Sequence, residues 1–238
     1  ILFYSGLPPQ HMWGFAIASM LLEAIYFILL CIAYTDHDFS LVYPIARGAA
    51  PALLVLWSAI FLREQLTVGG YIGLAMITGG IILIGATTLL QNKGEKPHLK
   101  GILTALSVAL VISIYTFIDG TAVKNGPALP YGISMFVMVP FVTTPYLMNR
   151  YGIEPFKRVW KNYRGYLLIG GVLGLVAYML ALFAYTIAPL SYSGAIREVS
   201  AVIGAFLGWR FLKEEMGGIR LVGSVIVFAG VMVIAVFG

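Results

Sequence analysis

The chain is 238 residues long, with 60% of them hydrophobic and 11% charged, whereas soluble domains carry about 25% charged residues. Its 10 acidic and 15 basic side chains cannot furnish the polar shell that a water-soluble core of this size requires, and a mean hydropathy of +0.93 makes lipid the solvent. The formal charge of +5 argues for membrane topology and not for a nucleic-acid partner, because Lys and Arg gather in short connections between apolar runs.

Taken in chain order, no cleavable signal peptide is visible in the opening residues, which begin at Ile1 without Met and whose first polar break covers 5–10. Eight apolar runs follow, each near the roughly 20 residues a spanning helix needs. They cover 13–35, 41–62, 71–90, 101–123, 131–148, 165–186, 191–211 and 219–237. Such runs exceed the roughly ten-residue alternating segments of a membrane barrel. The fold class is therefore an all-α polytopic membrane protein with the lipid bilayer as its first partner.

The connections are short except for 149–164, where Pro155, a basic cluster and Trp160 predict an interfacial helix. Lys93, Lys96, Lys100, Arg150, Lys157, Arg158, Lys161, Arg164, Lys213 and Arg220 fall on one side of the predicted bundle, with Arg63 and Lys124 on the other. The positive-inside rule assigns the richer side to the cytoplasm and Gly238 to the opposite face. Cys31 lies inside an apolar run and reads as a small buried hydrophobe.

The chain also repeats itself at about 150 residues. Ala33-Tyr34-Thr35 recurs as Ala184-Tyr185-Thr186, and Ser40 then corresponds to Ser191. After a one-residue gap Arg47 matches Arg197, Phe61-Leu62-Arg63-Glu64 matches Phe211-Leu212-Lys213-Glu214, Gly73 matches Gly223, and Gly80 matches Gly230. Helices one, two and three thus correspond to six, seven and eight, which implies five helices per repeat. An odd number inverts the second copy in the membrane, the plan of many secondary transporters. The division reads as a first repeat over 1–92 with three helices and a second over 99–238 with five, so two helices of the first are expected to precede Ile1.

The runs Asp38-Phe39-Ser40-Leu41-Val42-Tyr43-Pro44-Ile45-Ala46-Arg47-Gly48, Phe61-Leu62-Arg63-Glu64-Gln65-Leu66-Thr67 and Ala195-Ile196-Arg197-Glu198-Val199-Ser200 resemble the drug/metabolite transporter superfamily, in particular its EamA-like ten-helix members. The resemblance covers nearly the whole chain. It implies a multi-pass transporter of small metabolites in the bacterial inner membrane, with the substrate held between two repeats. It also implies both termini in the cytoplasm, at odds with the charge count.

Ionisable side chains inside spans cost about 2.5–3.5 kcal/mol each on insertion scales, and Glu23, Arg47, Asp119, Arg197 and Glu198 occupy such positions. Arg47 lies between Pro44 and Pro51, whose missing donors predict a kinked or unwound helix. Arg197 is its repeat mate, and Glu198 points about 100° away from it around the helix. Asp119 lies toward the end of its span, near water, and Glu23 lies deeper. Three acids against two arginines leave one carboxylate over, a candidate proton carrier. Tyr26, Tyr43, Tyr115, Tyr178 and Tyr185 either line a substrate cavity or pack the bundle core. Gly79-Gly80 and Gly170-Gly171 allow close helix approach. Asp36-His37-Asp38 reads as a solvated turn.

There is no phosphate-binding Gly loop with a lysine, no Ser/His/Asp set and no metal-ligand spacing. No enzyme activity, cofactor or metal is expected. The favoured reading is a secondary transporter of a small metabolite or drug-like solute, proton-coupled, working by alternating access. A second class also fits: a structural or accessory subunit of a larger membrane complex that retains a transporter fold.

Overall fold

Lipid offers no hydrogen bonds, so each backbone donor and acceptor must be satisfied within its own segment. The computed structural model, which describes residues 6–36, 39–91, 99–197, 203 and 218–237, is accordingly helical, with no strand among the described residues. The helices are α1 (Trp13–Asp36), α2 (Phe39–Trp57), α3 (Val68–Gln91), α4 (Leu99–Lys124), α5 (Ala128–Tyr151), α6 (Glu154–Ile187), α7 (Leu190–Arg197) and α8 (Gly218–Phe237). They fall on the eight apolar runs in order. By length and composition Gln10–Ala33, Lys100–Lys124, Ala128–Tyr151 and Glu154–Ile187 can each cross a bilayer, and Ala49–Leu62, Val68–Leu83 and Val222–Ile234 form shorter apolar stretches.

Two local expectations give way. The basic segment 154–164 is not a separate interfacial helix but the first turns of α6, which continues unbroken to Ile187 over 34 residues. A helix of that length is ~51 Å long, well beyond the ~30 Å of hydrocarbon. Its exposed basic turns therefore project past the apolar stretch. In turn, α2 is not unwound at its prolines but runs as α-helix through both Pro44 and Pro51, since neighbouring groups in a bundle can re-satisfy a backbone that proline interrupts. Its irregularity comes later, in a π-helical turn over Ser58–Leu62 that ends at Arg63 in the left-handed region (φ 52°).

The chain forms two compact units, one of residues 1–28 and 118–187, the other of 29–117 and 188–238. In the first, α5 approaches α6 so closely at Gly132 that an added Cβ would strike the side chains of Met179 and Leu182. Met12, fully buried, packs against Gly126 at the α4–α5 turn.

In the second unit, α3 and α8 pack on each other along an apolar seam that includes Ile77, Ile81, Val227 and Ile234. A Cβ on Gly73 would come within 2.7 Å of the Gly230 carbonyl oxygen, one on Gly80 within 2.8 Å of the Gly223 oxygen, and one on Gly230 within 2.7 Å of the Gly73 oxygen. Residue number rises along one helix as it falls along the other, so the pair is antiparallel. The glycines that correspond in sequence meet crosswise, and Ile77 and Val227, also 150 apart, are both fully buried beside them. Gly79, Gly170 and Gly171 meet nothing within 4 Å, so of the two Gly-Gly pairs only Gly80 serves close approach.

The segment Phe61–Thr67 ties this unit together. Thr67 accepts the Gly70 N–H at 2.9 Å, capping α3, and donates to the Phe237 carbonyl at 2.5 Å. Leu66 packs against the apolar seam. The Glu64 carboxylate accepts from Leu190 N (2.9 Å), Ser191 N (3.2 Å) and Ser191 Oγ (2.9 Å). It caps the N-terminus of α7, where the helix dipole favours negative charge.

Overpacking a filled seam costs about 1–3 kcal/mol. Gly80→Leu is therefore expected to lower the thermal midpoint of the purified protein in detergent by several degrees, while Gly79→Ala leaves it unchanged. Equal midpoints for the two variants would contradict the α3–α8 contact.

Candidate functional site

The first unit buries a polar cluster around Asp119. Asp119, on α4, is 1% exposed. Its position near the end of α4 does not bring it to water. Its Oδ1 accepts from Ser19 Oγ on α1 at 2.5 Å and from the Tyr131 hydroxyl on α5 at 2.7 Å, and its Oδ2 accepts from the Tyr178 hydroxyl on α6 at 2.9 Å. Each donor comes from a different helix. An ionised carboxylate is an acceptor only, and hydroxyl donors are what it requires away from water.

Glu23 lies one helical turn beyond Ser19 on the same face of α1, half-buried. It is near enough to Tyr131 and Tyr178 to act on both electrostatically. The unit thus holds two carboxylates and three hydroxyls, and Asp119 is hydrogen-bonded to all three hydroxyls. Such a cluster has the chemistry to hold and pass a proton.

The second unit has a small pocket among α2, α4 and α7, with a cavity volume of about 10 Å³, walled in part by Ala50, Pro51, Leu54, Ser113, Thr116 and Arg197; that is room for roughly one water. Arg47, half-buried, precedes Ala50, Pro51 and Leu54 by three, four and seven residues and so shares their helical face. Pro51 has no N–H to offer the Arg47 carbonyl. Trp57 Nε1 donates to Ser113 Oγ at 3.0 Å, and Ser113 Oγ in turn donates to the Leu110 carbonyl at 2.7 Å, which fixes α2 against α4 below the pocket. Gly194 lies against the tip of the Leu54 side chain, which a Cβ there would displace. Through its cap on α7, Glu64 helps set where Arg197 sits.

Of the residues singled out in the sequence, Glu23 and Asp119 belong to the first unit and Arg47 and Arg197 to the second. All four have partners. Glu198 and the side chain of Tyr43 lie outside the described residues, as do His37 and Asp38. Tyr178 is an Asp119 donor, while Tyr115 and Tyr185 are buried. Ser19, Tyr131 and Glu64 were not anticipated. Ser19 carried a signal, its i, i+4 spacing to Glu23. Tyr131 and Glu64 act across helices, which no local pattern encodes. Among the described residues no group of three or more His, Cys, Asp or Glu side chains is placed to hold a metal ion.

No curated protein matches the sequence. A solved structure described as "Crystal structure of protein" superposes with a TM-score of 0.73 at 16% identity, covering 97% of this chain and 79% of its own. At that identity the likeness establishes the fold. The family description "EamA-like transporter family" matches residues 99–236, more than half of the chain, through α4 to α8 and the Arg197 side of the pocket. This integral, multi-pass membrane protein therefore belongs to the EamA-like transporter family, whose members are transporters of the drug/metabolite type and not enzymes.

Proposed function

We propose that the chain moves a small metabolite or drug-like solute across the bacterial inner membrane as a secondary transporter with alternating access, coupled to protons through Asp119 and Glu23. The carrying observation is the Asp119 cluster, a fully buried carboxylate held by hydroxyls from three separate helices. A charge retained at membrane depth, at a cost of about 2.5–3.5 kcal/mol on insertion scales, marks an ion or substrate pathway. Hydroxyls drawn from α1, α5 and α6 can follow Asp119 only while those helices stay together, so a change in its protonation biases their packing.

In the same reading, Arg47 and Arg197 recognise an anionic group of the solute. The placement of Arg197 beside Pro51, with Arg47 on the same face of α2, supports it. The first repeat covers 1–92 and the second 99–238, related by inversion across the membrane plane. The antiparallel α3–α8 pair, in which sequence-equivalent glycines meet crosswise, is what a two-fold axis in that plane would generate.

Reconstituted into liposomes and offered a panel of small carboxylate-bearing and neutral solutes, the protein is expected to accumulate its solute under an imposed pH gradient. Asp119→Asn should abolish gradient-driven accumulation, because it removes the titrating group, while leaving downhill solute exchange measurable. Accumulation by the variant at the wild-type rate would refute coupling through Asp119. A well-folded wild type that moves no solute of any class would favour the accessory-subunit role instead.

Arg47→Gln and Arg197→Gln should each raise the half-saturating concentration of a carboxylate-bearing solute about tenfold or more, the worth of a hydrogen bond to a charged group. Neutral solutes should be little affected. Unchanged saturation curves for both variants would remove the arginines from the site.

A further inference from the structure

The first turns of α6 carry a charged face that neither the Asp119 cluster nor the pocket uses. Lys157, Arg158, Lys161 and Arg164 are all exposed there. Glu154 is the only acid in the sequence of α6, and Lys157 already pairs with it at 2.9 Å. Arg158, Lys161 and Arg164 have no side-chain hydrogen bond or ion pair among the described residues. Three cations within two turns repel one another, and an anion placed among them relieves that repulsion.

Their position on the helix says which anion. Arg158, Lys161, Gly165, Leu168 and Val172 follow one another at intervals of three or four residues, so they stack in one line along α6. Arg164 flanks the cationic end of that line. Leu168 and Val172, at its other end, are each more than half exposed. Gly165 lies between the two ends, and even an added Cβ there would meet nothing within 4 Å. The line therefore runs from cations, across a gap, to bare hydrocarbon, which is the order of phosphate, glycerol and acyl chain in a phospholipid.

Depth agrees with this order. A helix of 34 residues is ~51 Å long against ~30 Å of hydrocarbon, so the basic turns reach headgroup level when the apolar stretch spans. Trp160, Tyr163 and Tyr166, each more than half exposed, stand in the same turns, where the aromatic belt of a membrane protein lies. A soluble anion would answer the cations and leave the apolar end bare. A zwitterionic lipid would cover that end but bring a cation of its own.

We propose that this face of α6 is a seat for one anionic phospholipid, with Arg158, Lys161 and Arg164 holding the phosphate, the glycerol against Gly165, and an acyl chain along Leu168 and Val172. The seat is separate from the solute and proton sites and stands whether or not those readings do.

The test follows the thermal midpoint of the purified full chain in neutral detergent, which binding to the folded state raises. The chain is titrated with dioleoylphosphatidylglycerol, with dioleoylphosphatidylcholine as the zwitterionic lipid of the same chains and sodium phosphate as the anion without chains. Phosphatidylglycerol is expected to raise the midpoint in a saturable way, the other two not. Arg158→Gln, Lys161→Gln and Arg164→Gln should each raise the half-saturating lipid concentration about fivefold. Lys124→Gln, the same change of charge at the far end of α4, should leave it alone. Gly165→Leu closes the gap without touching a charge and should weaken the response as well. Without lipid its midpoint should be no lower than the wild type's, because leucine is the better helix former and its Cβ has room.

Equal stabilisation by the two lipids, or none by phosphatidylglycerol, would overturn the seat. If sodium phosphate reproduces the effect, the cations bind a free anion and the lipid assignment falls. If the three glutamine variants titrate like the wild type, the headgroup binds elsewhere. If they weaken binding and Gly165→Leu does not, the attraction is diffuse and no seat exists at Gly165.

Discussion

In hydrocarbon no water rescues an unmet polar group, and this constraint organises the molecule. It makes the backbone helical, and it draws the Asp119 and Glu64 carboxylates into hydrogen bonds from other helices. Asp119 is the clearest case. Its carboxylate is completed only where α1, α5 and α6 each bring a hydroxyl to α4. The polar contacts that make the site are thus also contacts that specify the helix packing of the first unit. In the second unit Glu64 does comparable work, holding the start of α7 by its own carboxylate.

Apolar packing supplies the rest, by close approach more than by area. Between lipid-exposed helices there is no hydrophobic driving force, so association depends on fit and on small residues that let backbones meet. The α3–α8 seam shows it, with glycine opposite carbonyl at both ends and Ile77 and Val227 between. Much of α6, by contrast, exposes Leu168, Ile169, Val172, Leu173 and Leu180, side chains at home in lipid.

The long helices of the described residues were legible because a span is a property of a contiguous stretch, and apolar length alone reveals it. The Phe61–Thr67 run was legible as a motif but not as a mechanism. Its cap on α7 joins residues 126 positions apart, and the left-handed Arg63 leaves no compositional trace. For α6, Pro155 suggested a break, yet proline is tolerated in the first turn of a helix, and the helix simply begins there. In the site, Glu23, Asp119, Arg47 and Arg197 stood out because charge in a span is conspicuous. Ser19 and Tyr131 did not, because hydroxyls are common in such helices and only the tertiary fold shows what they bond. Gly79 and Gly80 are indistinguishable in sequence and differ only in which face meets α8.

The central claim is that solute movement and proton movement are linked in this protein. The most direct measurement loads proteoliposomes with a pH-sensitive dye, imposes a gradient of a transported solute with no pH difference, and follows the lumen. Coupling predicts a change in lumenal pH that begins with the solute gradient, continues against an opposing proton gradient of limited size, and vanishes with a protonophore. Solute flux at full rate with no change in lumenal pH would contradict the account.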